Sequence, residues 1–250
     1  MKWIFILFIF IFLIFIAGGI FFIVWIIKLA TKPKSAQFVQ NEQKAMQDKV
    51  LKKKSDLTPW QGHTYMDITS AMMYTYVKGF SNKLKGKIFS PNRNAIVVFD
   101  RVERGMAANG YMYASSTDFD IFYEINVDQF KIKFNDELLG EIRKSGDIIV
   151  NGAKIGNAKH PPKASFSVSF VRFRSGDNKF PLHMNGRHLA TIWVAPNYSD
   201  HSHVSMQFIF NENNYGQPIL EMHDKPTPEE EKWLLSLAIL ETAFHGHWLI

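Results

Sequence analysis

The first 28 residues are an apolar run held between two lysines. From Trp3 to Ile27 the chain reads WIFILFIFIFLIFIAGGIFFIVWII, without a charged residue. A helix of this length reaches about 37 Å, which exceeds the roughly 30 Å of a bilayer's hydrocarbon core. We therefore predict a transmembrane anchor at residues 1–28, with Trp3 and Trp25 at the two interfaces. A cleaved signal peptide is the competing interpretation, but its apolar core would span only about 7–15 residues.

Residues 29–58 change to a polar composition with sparse apolar positions. Lys, Gln, Asn and Glu predominate between Ala36 and Leu57. This density of apolar side chains favours a frayed helical spacer over an element of the core. We expect a lysine-rich juxtamembrane stalk over residues 29–58 and one folded domain over residues 59–250.

The first part of this domain carries weaker signals. A helix is expected from Asp67, an N-cap residue type, because apolar side chains follow it at helical spacing up to Gly79. Residues 95–100 (AIVVFD) are typical of a buried strand. Residues 101–116 read as a loop or an irregular edge.

From Phe119 onward, short alternating runs separated by turn signals predict an antiparallel β meander. Four dipeptides mark the turns: Asn135-Asp136, Ser145-Gly146, Asn151-Gly152 and Asn185-Gly186. Asn-Gly is preferred in type I′ hairpins because both central residues need positive φ. About ten strands at this spacing indicate a barrel or a sandwich.

The carboxyl-terminal segment favours the barrel. Thr227-Pro228-Glu229-Glu230 is a capping box with Pro at the first helical position. The helix that it opens, about residues 228–244, is apolar on every face, and such a helix must be surrounded by other elements. We therefore predict a mainly β fold, an antiparallel β-barrel of about 10–12 strands around this helix. The alternative is a helix clamped between the domain and a membrane or a partner.

The meander containing GEIRKSGDIIVNGAKIG and the acidic-capped apolar helix EEEKWLLSLAIL resemble the tubby carboxyl-terminal-like superfamily. That superfamily includes tubby proteins, LURP-one-related proteins and phospholipid scramblases. The resemblance covers roughly residues 118–246. It implies a barrel of about twelve strands around a central hydrophobic helix, with a membrane-associated, non-enzymatic role. Unlike the scramblases, this chain carries its apolar segment at the amino end, and it has no cysteine to acylate.

Positive charge is concentrated beside the predicted anchor. The formal charge is +6, and residues 28–54 hold eight lysines against two acidic residues. Each lysine close to an anionic membrane contributes about 1 kcal/mol of attraction. We predict that Lys49, Lys52, Lys53 and Lys54 contact anionic phospholipid headgroups of the lipid bilayer. A solvated stalk is the alternative interpretation.

The same distribution bears on location and on partners. By the positive-inside rule, the lysines place the large domain of a single-pass membrane protein on the cytoplasmic side. Residues from Ser55 onward sum to about −1. The domain therefore lacks the net basic character that nucleic-acid binding favours, and no nucleic-acid partner is expected.

The run SFSVSFVRFR at residues 165–174 changes its apolar face part-way along. A β-bulge near Phe170 accounts for the change, since one extra residue exchanges the two faces of a strand. The functional interpretation keeps the register and directs Arg172 and Arg174 toward a phosphate or carboxylate of a ligand.

Histidines are the remaining candidates for chemistry. His201 and His203 share one face if they lie on a strand, which makes them weak candidates for a metal site. His183 and His188 flank the turn at residues 185–186, so cross-strand pairing would bring them together as a surface pair or a pH-sensing site. The sequence has no phosphate loop, dinucleotide fingerprint or nucleophile elbow, so we expect no cofactor and favour a non-enzymatic protein.

These observations favour a membrane-anchored binding domain that recognises anionic lipid or a lipid-linked ligand at the bilayer surface. A scaffold that holds a protein partner at the membrane is the first alternative. A metal-dependent hydrolase built on His201 and His203 is the second.

Overall fold

The computed structural model describes residues 14–16, 18–22, 24–25, 36–69, 72–77, 81–104, 109–126, 128–159, 167–168, 171–172, 179–193, 206–209 and 218–244. Most of the predicted anchor at residues 1–28 lies outside these ranges. Within them, no helix is both long and apolar enough to cross a membrane. The chain divides into two compact units, Met1–Asn41 and Glu42–Ile250, and the second contains the sheet.

Two helices have every residue described: α1 (Ala36–Leu51) and α2 (Pro228–Phe244). Single 3-10 turns occur at Lys54–Asp56 and Tyr65–Asp67. The strands are β1 (Met72–Val77), β2 (Ser81–Phe89), β3 (Ala95–Arg104), β4 (Asn109–Ser115), β5 (Asp120–Ile125), β6 (Gln129–Phe134), β7 (Glu137–Arg143), β8 (Asp147–Val150), β9 (Ala153–Asn157), β10 (Ser167–Val168), β11 (Val171–Arg172), β12 (Lys179–Met184), β13 (Arg187–Trp193), β14 (Met206–Ile209) and β15 (Leu220–Met222).

Thirteen strands form one antiparallel sheet in the order β14-β1-β2-β3-β4-β5-β6-β7-β8-β9-β12-β13-β15, and β10 pairs with β11 separately. The predicted mainly β, antiparallel fold is confirmed. The sheet is not closed, because its end strands β14 and β15 are not paired with each other within the described residues. A single bridge joins Thr69, before β1, to Pro218, before β15.

Two segments near the start of the sheet differ from their predictions. Residues Met72–Val77 form a strand and not a helix, because their aromatic and β-branched side chains suit a pleated strand that pairs on both edges. Asp67 does act in a cap, but only of a single 3-10 turn, where its carboxylate accepts from the Thr64 backbone N–H at 2.5 Å. The predicted loop at residues 101–116 instead continues β3 and forms β4. These strands explain why the sheet exceeds the predicted size.

The predicted turns are confirmed by their backbone angles. Asn151 and Gly152 have φ values of 51° and 80°, and Asn185 and Gly186 have values of 51° and 78°. Both central residues of each pair therefore adopt the left-handed conformation that a type I′ hairpin requires.

Helix α2 is buried in the main hydrophobic core among side chains from the strands. The completely or almost completely buried positions cover all of its faces: Trp233, Leu234, Ser236, Leu237, Ala238, Ile239, Leu240, Glu241, Thr242 and Ala243. Its two buried hydroxyls turn back on the helix: Ser236 donates to the Lys232 carbonyl at 2.7 Å and Thr242 donates to the Ala238 carbonyl at 2.8 Å. Tyr123 from β5 donates to the Ser236 carbonyl at 2.8 Å. The prediction that other elements must surround this helix is confirmed.

The start of α2 is fixed by the predicted capping box. The Glu230 carboxylate accepts from the Thr227 backbone N–H at 2.8 Å and from the Asn185 amide at 2.9 Å. Arg187 donates to the same carboxylate at 2.5 Å. Burial opposes ionisation of Glu230, but these hydrogen bonds and the Arg187 charge outweigh it and lower the pKa of Glu230. Asn185 and Arg187, at the turn between β12 and β13, thus fix the N-terminus of α2.

The end of α2 is held by an inward-facing arginine. Arg101 of β3 donates from Nη1 to the Ala243 carbonyl at 2.8 Å. A cation at this position satisfies a carbonyl that has no partner within the helix and complements the negative end of the helix dipole.

We expect Leu237→Ala to lower the free energy of unfolding by about 2–5 kcal/mol, since its side chain is completely buried. Leu138→Ala is the matched control: Leu138 is 66% exposed, so its loss should cost less than about 0.5 kcal/mol. Urea unfolding followed by tryptophan fluorescence measures both. Equal losses would contradict the burial of α2.

Candidate anion-binding site

The second half of α1 packs on the outer face of the sheet, the face turned away from α2. Val50 is 1% exposed and belongs to a hydrophobic cluster with Met46 of the same helix and Val98 of β3. The neighbours of Val98 along β3, Val97 and Phe99, belong instead to the core around α2. The predicted spacer therefore differs from the structure, because two apolar positions four residues apart are enough to seat one helical face on the sheet.

Polar contacts accompany this packing. The Gln47 amide donates to the Tyr113 hydroxyl of β4 at 3.2 Å. Lys54, just after α1, lies 3.4 Å from the Asp120 carboxylate of β5. These contacts are partly exposed and individually weak, so the apolar cluster supplies most of the attachment.

Strand β2 brings further lysines to the same outer face. Lys83, Lys85 and Lys87 alternate along β2 with Leu84 and Ile88, which lie in the core around α2. Because side chains of a strand point alternately to its two faces, the three lysines point outward.

A buried carboxylate lies among these lysines. Asp100 of β3 is opposite Lys85 in the register, and its Oδ2 is 4.0 Å from the Lys85 Nζ. Burial raises the pKa of Asp100, and positive charges oppose that effect. Those charges come, in decreasing order, from Lys85, Lys49, Lys53 and Lys83. We call these four lysines together with Asp100 the lysine face.

The predicted lysines have three different placements. Lys49 and Lys53 belong to the lysine face, and Lys52 is exposed beside them. Lys54 is directed to Asp120 instead. The structure thus brings two of the four predicted lysines together with lysines that the sequence analysis did not select.

The arginine prediction is only partly covered by the described residues. Arg172 lies in β11, paired with Ser167, whereas Arg174 lies outside the described residues. Val168 pairs with Val171 in antiparallel register, so the chain reverses between them. The described residues of the predicted strand at residues 165–174 therefore belong to two paired strands and not to one.

Sequence reasoning missed Lys83, Lys85 and Asp100. The run SNKLKGKIF was not recognised as a strand, because Lys and Gly are poor strand formers. Its signal was the period-two alternation of lysine with Leu84 and Ile88. Asp100 ended a predicted buried strand, and a carboxylate there requires nearby cations or a raised pKa.

The histidine prediction is confirmed at one place. His183 and His188 pair across β12 and β13, with ring centroids 5.0 Å apart. His223, which was not predicted, packs against His188 with the rings tilted and their centroids 4.3 Å apart, and its Nε2 is 2.7 Å from the Thr191 hydroxyl. His201 and His203 lie outside the described residues. Across the described ranges, no three His, Asp or Glu side chains are placed to hold a metal ion.

Comparisons with protein-family models, with curated proteins and with solved structures found no match. The functional argument therefore depends on the geometry of the lysine face. Four ammonium groups beside one buried carboxylate leave an excess of positive charge at a surface. Such an arrangement is suited to binding an extended anionic surface or a multiply charged anion.

Val50→Asp should release α1 from the sheet, because it places a charge in the apolar cluster. Leu51→Asp introduces the same charge at a neighbouring position that is 39% exposed, so it should leave α1 in place. Amide hydrogen exchange followed by mass spectrometry measures the result. We expect faster exchange over residues 46–53 in the first variant only, with unchanged protection of β5–β7; similar exchange in both variants would contradict the docking of α1.

Asp100→Asn should stabilise the fold at pH 7. The folded pKa of Asp100 is raised above its unfolded value of about 3.9, so the folded carboxyl binds its proton more tightly. Ionisation of Asp100 therefore lowers the free energy of unfolding of the parent chain. This loss develops as the pH rises from the pKa of Asp100 in the unfolded chain to its higher pKa in the folded chain. Urea unfolding at pH 3 and pH 7 measures the difference: the advantage of Asn should grow with pH, and an advantage confined to acid would contradict this assignment.

Proposed function

We propose that this chain is a membrane-anchored, non-enzymatic protein whose lysine face binds anionic lipid headgroups at a bilayer surface. The proposal includes a single-pass anchor at residues 1–28 and a cytoplasmic domain. The observation that carries it is the group of lysines around Asp100, with Lys85 opposite Asp100 on β2, Lys83 on the same strand, Lys49 on α1 and Lys53 just after α1. Lys49 and Lys53 come after the apolar segment in the chain, so an anchor there would tether the lysine face to the membrane.

The exposed apolar side chains of the first unit support the anchor. Phe15 and Phe21 belong to the helical residues described between positions 14 and 25, and both are largely exposed. Exposed large apolar side chains of this kind are unfavourable in water and are typical of a surface that another apolar phase covers.

A tether and a cationic surface reinforce each other. Each lysine near an anionic membrane adds only about 1 kcal/mol, and the attraction falls off within a Debye length of about 8 Å at physiological salt. An anchor removes the need to capture the membrane from solution, so modest attraction is enough to orient the domain.

We also propose that the fold is a variant of the tubby-like architecture. Its support is the long antiparallel sheet and the carboxyl-terminal helix buried on all sides. The lysine face is argued from this chain's own residues and does not depend on that relationship.

The proposal is tested with the full chain in lipid nanodiscs. The chain has no cysteine, so Ser55→Cys provides a unique position beside the lysine face for an environment-sensitive fluorophore. Leu138→Cys, at the start of β7, provides the control position. Nanodiscs of phosphatidylcholine alone are compared with nanodiscs that also contain phosphatidylserine, at low and physiological salt.

We expect the label at position 55 to shift to the blue only on the anionic nanodiscs, with salt reducing the shift. Replacing Lys49, Lys53 and Lys83 by Gln should weaken docking roughly a hundredfold, because three favourable charges are lost. Replacing three exposed lysines elsewhere, Lys131, Lys133 and Lys144, by Gln is the charge-matched control. Docking that ignores lipid charge would refute lipid recognition and favour the protein scaffold instead.

A further inference from the structure

Asp100 is at a position where packing alone would favour an apolar side chain. On the outer face of β3 it lies between Val98, which belongs to the apolar cluster beneath α1, and Val102, which packs against that cluster. The Asp100 side chain is only 8% exposed. A carboxylate in this place loses much of its hydration, which is unfavourable unless hydrogen bonds replace the water.

Among the described residues, no hydrogen bond to Asp100 replaces the lost water. The buried Oδ1 of Asp100 has no hydrogen-bond partner there. Its Oδ2 is 4.0 Å from the Lys85 Nζ, which is close enough for attraction between charges but longer than a hydrogen bond. A contribution to stability therefore does not account for a carboxylate at this position. Its effect on the neighbouring lysine charges is the alternative.

We propose that Asp100 is a positioning residue that sets how much negative charge a surface must carry before the lysine face binds it. This inference rests on the proposed function. In the free protein the carboxylate attracts Lys85, Lys49 and Lys53 and cancels one of their charges. A membrane must compete with this internal anion, so weakly anionic surfaces are left unbound and strongly anionic surfaces are bound.

The geometry allows this competition. Lys85 is 41% exposed, and it is not held to Asp100 by a hydrogen bond, so its ammonium group can turn toward a headgroup phosphate. Asp100 cannot follow, because it is fixed on β3 beneath α1. The lysines thus exchange one fixed carboxylate for several phosphates when the surface charge is high enough.

The experiment uses the full chain labelled at Ser55→Cys in nanodiscs, with the phosphatidylserine fraction varied at physiological salt. Asp100→Asn removes the charge and keeps the shape, whereas Asp100→Glu keeps the charge. Glu137→Gln makes the same change of net charge at an exposed position of β7, five strands from β2 in the sheet order. At that separation the solvent screens a surface charge strongly.

We expect Asp100→Asn to dock at a lower phosphatidylserine fraction, with affinity about fivefold higher at fixed composition and a steeper salt dependence. Asp100→Glu and Glu137→Gln should behave like the parent chain. Urea unfolding confirms that every variant is folded.

Two failures are distinguishable. In the first, the parent chain responds to phosphatidylserine, but Asp100→Asn docks at the same phosphatidylserine fraction as the parent chain, or Glu137→Gln lowers that fraction as much as Asp100→Asn does. Either result refutes the role of Asp100 and leaves lipid binding standing. If the parent chain does not respond to phosphatidylserine at all, the proposed function is refuted, and the role of Asp100 with it.

Discussion

The fold depends on the burial of a helix that has no polar face. Because α2 is buried on every face from Trp233 to Ala243, with Leu235 only half-buried, it is stable only when other elements cover it there. A helix enclosed in this way also loses the water that would satisfy its terminal backbone groups. Arg101 at one end and Glu230 with Arg187 at the other supply polar partners, so charged groups lie where the helix ends require them.

Enclosure of α2 also determines what the outer face can carry. Each strand that turns one set of residues toward the helix must turn the alternate set away from it. In β2 the inward set is Leu84 and Ile88 and the outward set is lysine, while β3 turns Asp100 outward. The lysine face is therefore a consequence of the same alternation that builds the core, completed by α1.

The sequence was most informative where local chemistry decides the conformation. The Asn-Gly turns, the Thr227 capping box and the apolar α2 were predicted correctly because positive φ, capping and burial are encoded in neighbouring residues. The strand Met72–Val77 was missed because helical and strand spacing coincide in a short apolar run. The lysine face was missed because Lys49 and Lys53 lie 30 to 51 positions before its other members, and only tertiary contacts bring them together.

The position of α2 in chain order constrains how the protein is made. Every strand among the described residues precedes α2 along the chain, so the inner faces of these strands emerge from the ribosome before the helix that covers them. Until α2 is synthesised, those faces have no native partner and are prone to aggregate or to recruit chaperones. Synthesis of α2 is thus the step that completes the core. Chains that end before α2 are expected to be degraded and not to function as shortened proteins.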